Sequence, residues 1–263
     1  MSLVFAAITS HPPILIPAIG KEHINKLEKT KQAFEKLEQD LYSAKPDIIF
    51  IISPHGELFQ NFFTINLSDE FTANFEIFGD FSTQLSFVGD MVTFASAKEI
   101  LAAKSPINII SEPHLDHGIA IPLYYLMKHL LDTPIVPIYF SMLDNQAHYE
   151  FGKALKDLIL SSDKRIAVIA SGDLSHCLSD QSPAPYHPDG KVFDDKLIKT
   201  VENCDFTTLV NFDQQLVDNA MECGLKSILV LSGILSDMKC RPEVLSYEAP
   251  LGVGYLMVNI NLD

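Results

Sequence analysis

Three near-continuous apolar runs in this chain each lead into a histidine. The runs cover residues 3–9, 47–53 and 165–171, and the histidines that follow are His11, His55 and His176. β-Branched residues dominate all three runs, which is typical of strands buried on both faces of a parallel sheet. Ligands of open α/β sheets bind at the carboxyl ends of the strands, so we expect the three imidazoles to converge on one crevice. Imidazole is the commonest metal ligand and a frequent acid or base near neutral pH, and the pattern predicts a metal or proton-transfer site.

The rest of the chain continues the alternation of strands and helices. Helices are predicted at 21–44, 89–103, 119–131, 145–161, 191–203, 206–219 and 220–236, and further strands at 107–111, 134–140, 243–248 and 252–261. The phenylalanine-rich segment 58–88 is interpreted as short antiparallel strands or an extended segment at the sheet edge. Its aromatic rings are expected in the core or, alternatively, as a wall over a substrate pocket. We predict a single α/β domain over residues 1–263, with a central, mostly parallel mixed β-sheet flanked by helices.

The charge and the cysteine content of the chain argue against several classes of binding partner and location. The formal net charge is −15 with no basic stripe, which argues against binding to a nucleic-acid backbone. The four cysteines form no C-x-x-C pair, so a disulfide framework is not expected. No apolar run approaches the roughly 20 residues of a membrane span, and the first residues lack a basic signal-peptide region. A cytoplasmic location without membrane association is therefore expected.

Glu222 is the best carboxylate candidate for a metal site. It lies at the start of a strongly apolar predicted helix, where an unpaired buried carboxylate is costly and ligation of a cation would remove that cost. The alternative is an acid stabilised by the helix dipole. Two histidines and one carboxylate form the facial triad of non-haem Fe(II) oxygenases. The adjacent Cys223 could instead supply a thiolate, which favours zinc, and we do not expect both side chains to bind one ion.

Two more residues in loops after strands are candidates for chemistry. His117 lies in a loop, residues 112–118, that is rich in acidic and turn-forming residues. Asp173 precedes His176 by three residues and is expected either to orient that imidazole or to cap the turn. No G-x-S-x-G nucleophile elbow is present, so serine hydrolysis by that route is not supported.

Several short motifs follow one another in a specific order. They are Ser10-His11-Pro12, Ser53-Pro54-His55-Gly56, Leu115-Asp116-His117-Gly118, Ser171-Gly172-Asp173-Leu174-Ser175-His176, Pro183-Ala184-Pro185-Tyr186 and Glu222-Cys223-Gly224. In this order the chain resembles the class III extradiol dioxygenase family, the LigB catalytic-subunit type. Within that family it looks most like stand-alone LigB/Memo-like bacterial proteins.

The resemblance implies a LigB-like fold and a ring-cleaving enzyme of aromatic compound catabolism. It implies Fe(II), with Zn, Cu or Mn as alternatives, held by His11, His55 and Glu222. His176 matches the family's acid/base histidine, and His117 matches a second pocket histidine. The implied substrates are O2 and a small catechol-like or aminophenol-like compound. Further side chains expected to line the pocket or support the ligands are Asp173, His114, Asp116, Cys223 and Tyr186.

Other functions remain open at this point. Memo-type relatives are treated as metal-binding or redox proteins, so the alternative is a metal-binding interaction protein without ring-cleaving activity. A zinc hydrolase with His176 as base is a further option. Arg165 and Arg241 lie outside the motif loops, and an acidic aromatic substrate is not predicted. Homo-oligomerisation and a second subunit that completes the pocket are also left open.

Overall fold

The computed structural model describes residues 2–91 and 101–262, and its central feature is an eight-stranded sheet. In chain order the strands of the described residues are β1 (Leu3–Thr9), β2 (Ile48–Ser53), β3 (Phe63–Asn66), β4 (Glu70–Phe75), β5 (Asp80–Val88), β6 (Ile107–Ile110), β7 (Ile135–Tyr139), β8 (Ile166–Ser171), β9 (Cys240–Glu248) and β10 (Tyr255–Leu262). Strands β4 and β5 form a separate antiparallel pair, which is one of the arrangements predicted for the phenylalanine-rich segment.

The large sheet has the strand order β6-β3-β7-β2-β8-β1-β10-β9. Strand β8 lies between β1 and β2 and pairs parallel with both. The antiparallel pairs are β3 with β7, β1 with β10 and β10 with β9. Strands β2 and β8 are buried along their whole length, as their β-branched sequences predict. The predicted mostly parallel mixed sheet is confirmed, and the carboxyl ends of β1, β2 and β8 meet at one edge.

Helices cover both faces of the sheet. In the described ranges they are α1 (Pro17–Gly20), α2 (Glu28–Ala44), α3 (His117–Leu126), α4 (Asn145–Ser161), α5 (Pro188–Glu202), α6 (Phe206–Val210), α7 (Gln214–Ala220) and α8 (Leu225–Ile234), with 3-10 turns at Pro13–Leu15, Lys21–Leu27 and Glu76–Phe78. Helices α2 and α3 pack on one face of the sheet, and α4, α5 and α8 pack on the other. None of the helices described here is long and apolar enough to cross a membrane.

Two helix predictions differ from the structure, and a third falls mostly outside its described residues. The helix predicted at 206–219 is divided into α6 and α7, and the one predicted from residue 220 begins only at Leu225. Met221 has a left-handed backbone (φ 54°), which ends α7 and leaves Glu222 and Cys223 in the turn before α8. Most of the helix predicted at 89–103 falls on residues 92–100, which lie outside the described residues.

Candidate metal centre

His11 is fixed by the end of strand β8. Its side chain is 2% exposed, its backbone N–H donates to Asp173 Oδ1 (2.9 Å), and its Nδ1 lies 2.9 Å from Ser171 Oγ. Ser171 Oγ donates its own proton to the carbonyl oxygen of Gly118, so it accepts a hydrogen bond from Nδ1–H of His11. This arrangement places the imidazole proton on Nδ1 and leaves the Nε2 lone pair available for a cation.

Two further ligand atoms converge on that lone pair. His55 Nε2 lies 3.0 Å from His11 Nε2, and Cys223 Sγ lies 3.7 Å from it. The three atoms all lie within 4.8 Å of one another. Atoms that share a metal ion through bonds of about 2.0–2.3 Å are separated by roughly such distances, and this donor set therefore fits a divalent transition metal.

Two glycines bring Cys223 to the end of β8. A Cβ atom placed on Gly172 would lie 2.2 Å from Gly224 Cα, so the two backbones are in direct contact. Across this contact Cys223 N–H donates to the carbonyl oxygen of Asp173 (3.2 Å), and Asp173 N–H donates to Cys223 Sγ (3.3 Å). This close approach holds the thiol beside His11.

The Glu222 carboxyl makes a different contact. Its Oε2 accepts a hydrogen bond from Leu225 N–H (2.6 Å), one of the backbone donors at the start of α8 that have no partner within the helix. Burial raises the pKa of Glu222 to about 7, and the Leu225 hydrogen bond partly opposes the rise. The position fits the helix-end alternative. In the described residues the three-ligand group contains Cys223 and not Glu222, and ligation by Glu222 stays a prediction.

Two more imidazoles surround the ligand atoms. The His117 ring, at the start of α3, stacks on the His55 ring with a centroid distance of 4.2 Å. The Phe78 ring meets the His117 ring in a T-shaped arrangement with a centroid distance of 5.2 Å. His176 is close enough that its charge would lower the pKa of both His11 and His55. His176 Nδ1 is buried and has no hydrogen-bond partner within residues 2–91 and 101–262. The structure thus brings four predicted histidines to one site.

Desolvation favours the neutral form of these imidazoles near pH 7, and of the three ligand residues His55 is the exposed one. Desolvation lowers the pKa of His55 and of His117 to about 4, and it lowers that of His11 and His176 as well. Desolvation also raises the pKa of Asp173 to about 7, which the hydrogen bond from His11 N–H partly offsets. Neutral imidazole is the form that ligates a metal and accepts a proton.

The other predicted residues have different surroundings. The Asp173 carboxylate contacts His11 and not His176, whose orientation was one of its two expected roles, because the turn after β8 directs it toward β1. Asp116 Oδ1 accepts a hydrogen bond from Ser53 Oγ (2.6 Å), which joins the end of β2 to the start of α3. His114 is exposed, pairs with Glu112 and lines a groove on β4 and β5. Tyr186 is 56% exposed in the loop before α5.

A cleft of about 480 Å³ opens beside Cys223. Its apolar wall consists of Leu58, Phe140, Met142, Val217 and Met221, and Glu222 and Lys226 also line it. Lys226 Nζ donates to the carbonyl oxygen of Ser141 (3.2 Å) and lies 5.5 Å from the Phe140 ring centroid. Sequence reasoning missed Lys226, although a lysine near the start of an otherwise apolar helix, four residues after Glu222, was a usable signal.

Comparison with known proteins decides the family. The family model of the catalytic LigB subunit of aromatic ring-opening dioxygenases matches residues 5–258. The chain belongs to this LigB family. The predicted resemblance is confirmed, and membership supports a ring-cleaving dioxygenase at the level of the family.

The named relatives of this chain include an enzyme subunit and a MEMO1 family protein. Protein CA_C1420 of Clostridium acetobutylicum is 32% identical over 97% of this chain, which spans 57% of that protein. The 2-aminophenol 1,6-dioxygenase beta subunit of a Pseudomonas species is 22% identical over 99% of this chain and 94% of its own length. A MEMO1 family protein of Methanosarcina mazei is 30% identical over 44% of this chain and 40% of its own length.

A solved structure confirms the fold class. The uncharacterised protein JW3007 of Escherichia coli K12 superposes with a TM-score of 0.69 and 17% identity. The match covers 97% of this chain and 99% of that one. At this identity the likeness concerns the fold alone.

Proposed function

We propose that this chain is a non-haem Fe(II)-dependent extradiol dioxygenase that opens the ring of a catechol-like or aminophenol-like compound with O2. The observation that carries the proposal is the group of four imidazoles at one sheet edge. His11 and His55 present Nε2 atoms 3.0 Å apart, while His117 and His176 lie beside them. A purely structural metal has no use for two extra neutral imidazoles, whereas ring opening needs proton carriers next to the ion.

His11 and His55 are the proposed ligands, and the turn of Glu222 and Cys223 supplies a third. Family resemblance supports Glu222, whose carboxyl has to exchange its hydrogen bond with Leu225 for the ion. When bound, Fe(II) supplies adjacent positions for substrate and O2 and a path for electrons between them.

The remaining residues bind the substrate and move its protons. The apolar wall of the cleft excludes water from an aromatic ring placed next to Cys223. His176 is the proposed acceptor of a proton from a substrate hydroxyl, because it lies beside His11 and His55 and desolvation lowers the pKa of its imidazole. His117, held between His55 and Phe78, orients the other side of the substrate.

The test is anaerobic reconstitution with Fe(II), followed by O2 uptake across a panel of catechols and aminophenols. We expect turnover of at least one compound, loss of iron binding in His11→Ala, and retained iron with lost turnover in His176→Ala. His129→Ala is the matched control, since the His129 side chain is 65% exposed and pairs only with Glu38 of α2 among the described acidic residues. Stoichiometric iron without O2 uptake on any compound contradicts the proposal.

A second candidate function follows from the thiol. Cys223 Sγ, not a carboxylate, completes the three-ligand group, and thiolate ligands favour zinc or Cu(I). In that case the chain is a metal-binding or redox protein without ring-cleaving activity. X-ray absorption of the metal-loaded protein separates the two, because a sulfur neighbour at about 2.3 Å indicates Cys223. Cys223→Ser then abolishes binding while Glu222→Gln retains it, and the first proposal expects the reverse.

A further inference from the structure

A second pair of cysteines lies outside the metal centre. Cys204, in the turn after α5, and Cys240, at the start of β9, have Sγ atoms 3.8 Å apart. The Cys204 thiol donates to the carbonyl oxygen of Cys240 (3.2 Å), and the Cys240 thiol donates to Cys204 Sγ. We propose that Cys204 and Cys240 form a redox modification site, which a hydroperoxide such as H2O2 converts into an intramolecular disulfide.

The geometry needs little adjustment for this bond. A disulfide requires Sγ atoms about 2.05 Å apart, so each atom moves by roughly 0.9 Å if the movement is shared. Both residues are half-buried and pack at the edge of the core, so we expect a small oxidant to reach them. Cys204 also has a left-handed backbone (φ 53°), where glycine or asparagine is the favoured residue.

The hydrogen bonds assign the order of the reaction. The Cys240 S–H points at Cys204 Sγ, so we take Cys204 as the sulfur that reacts first, and its thiolate attacks one oxygen of H2O2. The O–O bond breaks, leaving a sulfenic acid on Cys204, and the departing hydroxide takes up the thiol proton as water. Cys240 sulfur then attacks the Cys204 sulfur. The S–S bond forms, the S–O bond breaks, and a second water leaves with the Cys240 proton. Two thiols lose two electrons and two protons, and one H2O2 becomes two waters.

The position of the pair gives the bond a consequence for the site. The residues between the two cysteines include α6, α7, the turn of Glu222 and Cys223, and α8. This segment forms one wall of the cleft, including Val217 and Met221. A covalent link between its two ends restricts the unfolded chain and the local opening of the wall. We therefore expect oxidation to raise Tm by on the order of 5–10 °C, from the loop length and the size of the chain.

The experiment uses the whole reduced protein treated with H2O2. Peptide mapping without reduction should give a cross-linked peptide containing Cys204 and Cys240, and thiol titration should show two of the four thiols lost. Hydrogen exchange should slow across residues 205–239 and stay unchanged in β2 and β7. Dithiothreitol should reverse all three changes.

Variants separate this bond from other oxidation. Cys204→Ser should lose the cross-linked peptide and the rise in Tm, while Cys177→Ala, which removes a buried thiol elsewhere, should keep both. If mapping of the wild-type protein finds Cys204 and Cys240 separately oxidised, or linked to other cysteines, the proposal is overturned. The same holds if Cys204→Ser shows the full Tm rise.

Discussion

The contact between Gly172 and Gly224 leads to a prediction about metal affinity. In Gly172→Ala the new Cβ atom would lie 2.2 Å from Gly224 Cα. Non-bonded carbon atoms prefer about 3.5 Å, so the turn must retreat from β8 by roughly 1.3 Å. Metal–ligand distances tolerate only about 0.2 Å, and a shift of this size takes the ligand supplied by the turn out of reach of His11 and His55.

We expect two measurable effects of Gly172→Ala. Overpacking should lower the free energy of unfolding by about 1–3 kcal/mol, measured by guanidinium denaturation of the metal-free protein. Metal affinity should fall about 10- to 100-fold, as expected when the support of a ligand is lost, measured by competition with a chromophoric chelator. The affinity loss should appear with Zn(II) as well as Fe(II), because it concerns the position of the turn.

Gly79→Ala is the control for strain without a contact. Gly79 has φ 84°, and a Cβ atom added there would meet no neighbouring atom within 4 Å, so alanine costs about 1 kcal/mol from backbone strain alone. Its metal affinity should equal that of the wild type. A folded Gly172→Ala protein with metal affinity within about twofold of the wild type refutes the role assigned to this contact.

Three other predictions test the cleft, the support of the site and the protonation of His148, a buried histidine of α4. Lys226→Met should raise KM for carboxylated catechols about tenfold and leave KM for neutral catechols unchanged, because the Lys226 ammonium lines the cleft. An equal change in KM for both kinds of catechol would contradict this role. Ser53→Ala should destabilise the protein by about 1–3 kcal/mol in denaturant titrations, since buried Asp116 loses a hydrogen bond. Burial lowers the pKa of His148 to about 4. Between pH 4 and 6.5 the unfolded chain therefore binds more protons than the folded one, and the stability that neutral His148 contributes is lost as pH falls through that window. NMR titration should show the His148 ring neutral above pH 5.

The sequence was most informative where structure follows from local pattern. The β-branched runs before His11, His55 and His176 predicted three buried strands, and their shared edge follows from the geometry of parallel sheets. The third ligand depends on features without a local signal. Helix α8 starts at Leu225 because Met221 adopts a left-handed backbone. A methionine gives no signal in the sequence for such a conformation. That small difference turns Cys223 toward His11 and leaves Glu222 at the helix end.

The Asp173 contact was equally hard to foresee. Its neighbour in sequence is His176, but β1 lies beside β8 in the sheet, so the carboxylate reaches the backbone of His11 instead. Strand order of this kind depends on long-range pairing and cannot be obtained from spacing along the chain.

The central place of β8 also determines when the site can exist during synthesis. Strands β1 and β2, which carry His11 and His55, emerge from the ribosome early, yet the strand that spaces them is made much later. Until β8 inserts between them, the two imidazoles have no fixed separation, and Ser171 is not there to hold the proton of His11 on Nδ1. The nascent chain therefore has the two histidines but not the proposed metal site, which forms only after one of the last long-range pairings of the fold.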